Sequence, residues 1–397
     1  MTSVHRADIS RAVQQRRPLR RGWTTGTCAT AAAKAAATAL FGDAFPDPVE
    51  IALPNGLRVS FALAETSQST GIATAGVVKD AGDDPDVTHG VLVRAAVAAG
   101  LPGSGVIFRA GPGVGTITRP GLPLPPGEPA INPAPRQMIR AAVAEVAAAH
   151  GLAPDVLVEI SIPGGEELAR QTLNPRLGIV GGLSILGTTG VVIPYSCAAW
   201  IDSIHRGIDV ARASGVAHIA GATGRTSEDA VRALHALPEI ALIEMGDFVG
   251  GMLKYLRRHP LPRVTIAGGI AKMTKLAQGR LDLHSKRGEV DLAALAALAR
   301  AHGASEVTEA RIAISNTVAE AFAATANLAP NLAPNLTLGD AVAQDAWEVA
   351  AAILRPAPIA LEIAVFDRAG QLVGRARFAP VGLDGHEDAR AGRKRRS

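Results

Sequence analysis

The spacing of apolar residues changes character near residue 196, and the elements it predicts change with it. In the first half, Thr27 to Leu40 is almost all alanine with Lys34 as its one charge. Alanine is the strongest helix former, and a helix apolar on every side is a buried one. Its start predicts a cap at Thr25 or Thr27, whose hydroxyls can accept a first-turn amide proton. Val49 to Leu53 and Leu57 to Ala64 read as strands around Asn55-Gly56, a pair that supplies positive φ in a hairpin. Short strands follow near Val91–Ala95 and Gly105–Arg109, then a proline-rich loop from Arg119 to Arg136, a helix from Gln137 to His150 and a strand from Val156 to Ser161. Hairpins mixed with helices make this half α+β.

Beyond Ser196 strands and helices alternate. The pattern predicts helix Ile201–Ala213, strand Val216–Ala220, helix Ser227–Leu237, strand Ile240–Glu244, helix Phe248–His259 and strand Arg263–Ala267. A helical region after Ile270 and helix Leu292–His302 complete the series, which describes βαβ units around a mostly parallel sheet covered by helices. A turn-rich Asn327/Asn331 tandem leads to helix Asp340–Leu354, and strands Ile359–Phe366 and Gln371–Phe378 form a closing hairpin. The expected organisation is two unlike domains, α+β over 22–196 and α/β over 197–326. They are framed by a basic arm over 1–21, a connector, helix and hairpin over 327–383 that could return to the first domain, and a disordered basic tail over 384–397.

The 25 residues from Leu177 to Ile201 carry no charge, enough to span a bilayer as a helix. Their interior holds Gly178, Gly181, Gly182, Gly187, Gly190 and Pro194 beside the β-branched pair Thr188-Thr189, a composition of short buried strands and turns. The expectation is a protein without stable membrane insertion, placed in the cytoplasm because the first 20 residues lack a signal-peptide core and only Cys28 and Cys197 are present.

The net charge of +4 is concentrated at the ends. Six arginines and one aspartate in 1–21, with five Lys/Arg against two acids in 386–397, leave the body at −4. A basic-tail nucleic-acid-binding or interaction protein is therefore the competing class, with solvated termini and no nucleic-acid partner the expectation. A homodimer is the generic oligomeric expectation.

Candidate chemistry falls in loops. Gly221–Ser227, Gly246-Asp247 and Gly268-Gly269 lie where parallel strands should end, the edge at which open α/β sheets bind ligands, and suggest a nucleotide-like cofactor. Ordinary turns also use glycine, and Gly221-x-x-Gly224 is not a full dinucleotide fingerprint. Asp80, Asp83, Asp84, Asp86 and His89 form an acidic loop that reads as a divalent-cation site or as a capped turn, the latter at least as well supported. Gly111-Pro-Gly113-Val-Gly115 lacks the ending of a phosphate loop. Arg119, Arg136 and Arg176 could pair with carboxylates of a ligand or with internal acids and carbonyls. Cys28 reads as a small buried cysteine, and His89, His205 and His284 have no triad spacing.

Several ordered motifs then carry a resemblance. Trp23-Thr-Thr-Gly-Thr-Cys28-Ala, the loop Lys79 to Gly90, Gly113 to Gly121, Ala130-Ile-Asn-Pro-Ala-Pro-Arg136 and, most strongly, Asn174-Pro-Arg-Leu-Gly-Ile-Val-Gly-Gly-Leu-Ser-Ile-Leu-Gly-Thr-Thr-Gly190 resemble the CbiD family of cobalt-precorrin-5B C1-methyltransferases. Weaker likenesses run through Gly246–Gly250 and Lys272–Gly279. The resemblance implies two unlike α/β domains and methyl transfer from S-adenosylmethionine to a corrinoid with several carboxylates, with cobalt present only as part of the substrate and no metal of the protein's own. Reduction of a related corrinoid with a nicotinamide cofactor is the alternative within enzymes. On that resemblance the expected substrate contacts are Arg136, Arg176, Gly181, Gly182, Ser184, Gly187, Thr188 and Thr189; the expected cofactor contacts are Thr25, Gly26, Thr27, Gly246 and Asp247; and Thr188, Thr189 and Asp247 are the catalytic candidates. Where many relatives read Gly-His-x-Gly-Lys, this chain has Gly268-Gly269-Ile270-Ala271-Lys272, so no histidine role is carried onto that position.

Overall fold

A computed structural model describes residues 18–285, 288–326 and 336–382. The basic arm up to residue 17, the Asn327/Asn331 tandem and the tail from 383 lie outside the described residues. The described residues divide into two compact units, the first reaching Thr118 and resuming over Pro123–Ser196, the second made of Arg119–Leu122 and the described residues from Cys197 onward.

In the first unit the alanine run forms helix α1 (Thr25–Leu40), buried along almost its whole length. Its cap is neither Thr25 nor Thr27 but Thr24, one residue before the nearer of them: Thr24 Oγ1 accepts the Thr27 amide at 3.2 Å. Five strands make a mixed sheet, β1 (Glu65–Ser69), β2 (Ile72–Val78), β3 (Leu92–Ala99), β4 (Val106–Ala110) and β5 (Val156–Ser161), in the order β1-β2-β3-β5-β4. All neighbours are antiparallel except β5 with β4. Ala73, Ala75, Val77, Val93, Ala95, Val97, Val156, Val158 and Ile160 alternate onto one buried face, and the small side chains of α1 pack into the same core. Helix α2 (Pro133–Ala149) packs against α1 and starts four residues earlier than the sequence pattern indicated. Pro133 occupies the first helical position, where its missing N–H costs nothing, so the end of the expected loop is the helix's first turn.

The second unit carries the open sheet. Strands β6 (His218–Ala222), β7 (Leu242–Glu244), β8 (Arg263–Gly269), β9 (Ala360–Phe366) and β10 (Leu372–Pro380) lie in the order β7-β6-β8-β9-β10, parallel throughout except for the last pair. The closing hairpin β9–β10 therefore does not return to the first unit; β9 pairs with β8 along seven residues. Helices α3 (Cys197–Ala213), α4 (Arg225–His235), α5 (Val249–Arg258), α6 (Ile270–Ala277), α7 (Leu292–Ala301), α8 (Glu306–Ala313), α9 (Val318–Ala326) and α10 (Leu338–Leu354) complete the unit. The central strands are buried along nearly every residue, the mark of a sheet covered on both faces. No helix among the described residues is long and apolar enough to cross a membrane, and the uncharged run resolves into the turn Asn174–Leu177, three two-residue strands and the start of α3.

A polar chain crosses this sheet. Glu362, fully buried, accepts from Arg375 Nε at 2.7 Å and Thr265 Oγ1 at 2.8 Å and lies 2.5 Å from His235 Nε2, while His218 Nε2 reaches Thr265 Oγ1 at 2.8 Å. Burial, then the neighbouring His235, lowers the His218 pKa from 6.5 to about 4. A histidine held neutral in the fold takes up its proton only on unfolding as pH falls, so its stabilisation is present above pH 6.5 and lost between there and about pH 4. The expected loss is on the order of 2 kcal/mol after allowance for solvent screening, seen as a falling Tm over that window which His218→Gln flattens.

Candidate functional site

The sheet order of the second unit places a reversal between β6 and β8, since the chain moves one way to β7 and the other way to β8. At such a point the loops leaving adjacent strands diverge and open a crevice at the carboxyl edge. The described residues hold a cavity of about 390 Å³ there, lined by Thr223–Ser227 after β6, Gly269–Lys272 after β8, Thr317–Ala319 at the start of α9 and Phe366–Arg368 after β9. Its size is that of a pocket for one small-molecule ligand.

Two kinds of glycine meet at this edge. A Cβ on Gly221 would stand 2.4 Å from Met252 Sδ, and one on Gly268 2.5 Å from Met273 Sδ, so these glycines let helices pack on the sheet. A Cβ on Gly224 or Gly269 would meet nothing within 4 Å, although both residues line the cavity. Gly269 has φ −70° and ψ 154°, open to any residue, so neither packing nor backbone conformation demands glycine there; what its absent side chain preserves is space beside the backbone. Gly224 is the N-cap of helix α4 and offers no side-chain cap, and the helix's first residues, Arg225–Ser227, line the same wall.

Lys272 ties the loops together: its Nζ donates to the Thr223 carbonyl at 2.7 Å and stands 3.1 Å from Asp247 Oδ1. The second contact lacks hydrogen-bond alignment, so Asp247 Oδ1, shut off from solvent, has an ion pair but no donor among the described residues. Gly246, at φ +58°, turns the chain against Trp200, whose Nε1 donates to the Glu244 carbonyl at 3.2 Å.

In the first unit the structure joins two groups that the sequence reading kept apart, the expected cofactor contacts Thr25–Thr27 and the expected substrate contacts Gly187–Thr189. Thr24 N donates to the Gly190 carbonyl, Gly26 N to the Leu186 carbonyl, and Thr27 Oγ1 to the Gly190 carbonyl at 2.7 Å. Thr25 Oγ1 accepts the Leu186 amide at 3.0 Å. The loop 186–190 is thus zipped onto the N-terminal turn of α1. Gly187, at φ +130°, fits because a Cβ there would stand 2.2 Å from Thr24 Oγ1. Beyond this clasp Thr188 and Thr189 are exposed, and so are Gly181, Val180, Leu186, Ile193 and Tyr195, giving the uncharged run an open apolar surface.

Other expected contacts look inward. Gly182 pairs with Gly113 so closely that a Cβ would lie 2.3 Å from the Gly113 carbonyl, so its smallness serves strand contact. Ser184 Oγ donates to Asn174 Oδ1 at 3.1 Å in a buried position. Arg136 is 8% exposed; it donates to the Ile131 and Pro129 carbonyls and to Glu128 at 2.8 Å, and its guanidinium lies 5.1 Å from the Phe108 ring centroid. Those partners pin the proline loop to α2. Arg176 is half-buried in the turn Asn174–Leu177.

The acidic loop is a clasp built of carboxylates. Asp80 binds the Arg20 guanidinium and Asp83 takes the Arg20 amide; Asp84 accepts Tyr195 N at 2.8 Å; and Asp86 accepts Lys79 Nζ at 2.6 Å and Thr88 Oγ1 at 2.6 Å. Burial works against the charge of Asp86, yet the bonds from Lys79 and Thr88 outweigh it and hold its pKa below the ordinary range. The Arg20 hydrogen bond brings Asp80 down to about 2. Burial pushes the Cys28 thiol up to about 12, which leaves no thiolate for nucleophilic chemistry.

Two family models match the chain, one described as CbiD over residues 12–194 and one as CbiD, C-terminal domain, over residues 282–377. A cobalt-precorrin-5B C(1)-methyltransferase of Bradyrhizobium sp. (strain BTAi1) is 62% identical over 359 residues, covering 90% of this chain and 94% of the relative. The enzyme of the same description from Halorhodospira halophila is 61% identical over 361 residues, 91% of this chain and 95% of that one. A crystal structure of a cobalamin biosynthesis protein (cbiD) from Archaeoglobus fulgidus is 30% identical, with a TM-score of 0.36 over 64% of this chain and 77% of that one.

Proposed function

The chain belongs to the CbiD family, and from that membership we propose that it transfers the methyl group of S-adenosylmethionine to C-1 of cobalt-precorrin-5B, giving cobalt-precorrin-6A in cobalamin biosynthesis. The observation that carries this reading is identity above 60% along nine-tenths of the chain to methyltransferases of that description. When bound, the donor supplies an electrophilic methyl on a sulfonium; the ring carbon's attack forms a C–C bond while the electrons of the broken C–S bond stay on sulfur as a neutral thioether.

We place the donor in the cavity of the second unit. Its volume of about 390 Å³ and the open space beside Gly224 and Gly269 support that placement. The residues there have a modest chemical task, since methyl transfer needs alignment and exclusion of water more than acid–base help. Thr223–Ser227 and Gly269–Lys272 hold the ligand against the strand ends, and Phe366 contributes an apolar wall. Asp247 acts through Lys272, whose ammonium is bonded to the Thr223 carbonyl at 2.7 Å and lies 3.1 Å from Asp247 Oδ1.

The corrinoid we place on the exposed surface of the uncharged run, where Gly181, Leu186, Thr188, Thr189, Ile193 and Tyr195 offer apolar contact with a few hydrogen-bonding groups. Arg176, in the turn that opens this run, is the carboxylate partner of this reading, whereas the inward bonds of Arg136 and Ser184 make them supports of the surface. Two unpaired cysteines, one buried and one exposed, suit the cytoplasm, where thiols stay reduced.

Incubation of the protein with S-adenosylmethionine and cobalt-precorrin-5B, followed by mass spectrometry, tests the reaction: the substrate gains one methyl group, and an unchanged substrate mass with folded protein would refute it. Gly269→Leu tests the donor's place. Its side chain would enter open cavity without backbone strain, so the melting temperature should stay within about 2 °C while affinity for S-adenosylmethionine falls about tenfold or more. Equal binding by both proteins in titration calorimetry would move the donor elsewhere.

A further inference from the structure

The charged side chains that line the second unit's cavity are Arg225, Lys272, Asp367 and Arg368, and their internal commitments differ. Asp367 is spent on its own turn, where Oδ1 accepts the Ala369 and Gln371 amides, each at 2.8 Å. Arg225 projects into solvent, 94% exposed, with Asp229 3.8 Å away. Lys272 is half-buried in the wall itself. Its ammonium gives one N–H to the Thr223 carbonyl at 2.7 Å, and Asp247 Oδ1 at 3.1 Å offers charge without an aligned hydrogen bond. An ammonium has three N–H donors. Donor capacity therefore remains on a lysine that lines the cavity and whose ammonium is held at one point. The lining carries three cations and one acid, and Asp229 and Asp247 stand beside two of those cations, so recognition of an anion rests on the donor capacity of Lys272 more than on net charge.

We infer that Lys272 is the specificity residue of this cavity, recognising the carboxylate of the ligand seated there, while the Thr223 carbonyl keeps its ammonium in position and Asp247 competes for it. The inference rests on the methyl-transfer reading above. Under that reading two ligands bring a carboxylate: the amino-acid end of S-adenosylmethionine and the acidic side chains of the corrinoid. A hydrogen bond between two charged groups, sheltered from bulk water, is about twice as strong as a neutral one, and its loss should cost a binding factor of about tenfold or more.

The test is calorimetric binding to the full chain with four probes: S-adenosylmethionine, its decarboxylated analogue, the corrinoid polycarboxylate cobyrinic acid, and the heptamethyl ester of that acid. Lys272→Met should weaken one carboxylate probe about tenfold or more while changing its carboxylate-free counterpart less than about twofold. The pair that responds identifies the source of the carboxylate. Lys272→Arg, which keeps the charge, should restore most of the binding. Asp247→Asn should tighten the same probe, because the ammonium loses its competitor; an ion pair that served only the fold would weaken all probes alike. Should Lys272→Met fail to fold, Asp247→Asn decides by that sign. The inference is overturned if both carboxylate probes bind Lys272→Met as they bind the unaltered chain, or if Asp247→Asn weakens every probe equally. If the unaltered, folded chain binds none of the four, the inference and the methyl-transfer reading fall together; if it binds S-adenosylmethionine and Lys272→Met binds it equally, with cobyrinic acid also unaffected, the inference alone falls.

Discussion

Replacing Glu362 by alanine is expected to remove about 3–5 kcal/mol of folding stability, a large share of the roughly 5–15 kcal/mol that holds a domain folded. The carboxylate is 0% exposed and is the shared acceptor for Arg375, His235 and Thr265, which come from β10, α4 and β8. Its removal leaves a guanidinium half-buried without its acid and a threonine hydroxyl without an acceptor, so the penalty is desolvation of orphaned groups more than loss of one bond. Glu362→Gln, which keeps an acceptor oxygen, should cost less. Chemical denaturation measures both, and a loss below about 1 kcal/mol for Glu362→Ala would mean the network contributes little.

Gly187→Val carries the largest expected effect on turnover. The residue sits at φ +130°, where only glycine is comfortable, and its Cβ would fall 2.2 Å from the Thr24 hydroxyl that caps α1. Relief requires loop 186–190 to leave α1, breaking the bonds from Gly26, Thr25 and Thr27 and displacing Thr188 and Thr189. With the corrinoid placed on this surface as proposed, misplacing it by about 1 Å costs on the order of 10²-fold in rate, so kcat for methyl transfer should fall by about that factor. Affinity for S-adenosylmethionine, placed in the second unit, should not change. Turnover within about twofold of the unaltered chain would separate this loop from the reaction.

Most of the second unit was legible because its strands are short apolar runs between amphipathic helices, a pattern that parallel sheets impose by being buried on both faces. The loops that line the cavity were legible too, since a strand's end and its following glycines can be read in one dimension. What escaped was information held by partners distant in the chain. The polar edge strand β1, Glu65-Thr-Ser-Gln-Ser69, has no apolar alternation and is a strand only through its pairing with β2. Helices α8 and α9 are short and lack a strong apolar stripe, so their helicity was not read from the pattern. The closing hairpin could be recognised as a hairpin, but its place beside β8 is a register that pattern does not encode.

The same limit applies to the candidate site. Four aspartates in seven residues suggested a cation as readily as a turn, and only the positions of Arg20, Lys79 and Tyr195 show that the carboxylates serve the chain itself. Lys272 stood in the sequence only as the lysine of a family-like segment with no role attached, because its surroundings come from Thr223 and Asp247 at the ends of two other strands. Glycines at 182, 187 and 269 look alike in sequence; the structure separates the two against which other parts of the chain pack closely from the one that borders open cavity.

The central claim is that this chain methylates one position of a corrinoid, and labelling by position tests it most directly. Purified protein is given S-adenosylmethionine carrying carbon-13 in its methyl group together with cobalt-precorrin-5B, and the product is examined by carbon-13 NMR. The account predicts a single new labelled methyl, attached at C-1, in an amount equal to the S-adenosylhomocysteine formed. Label at another ring carbon, or none while the protein remains folded and binds both ligands, would contradict it.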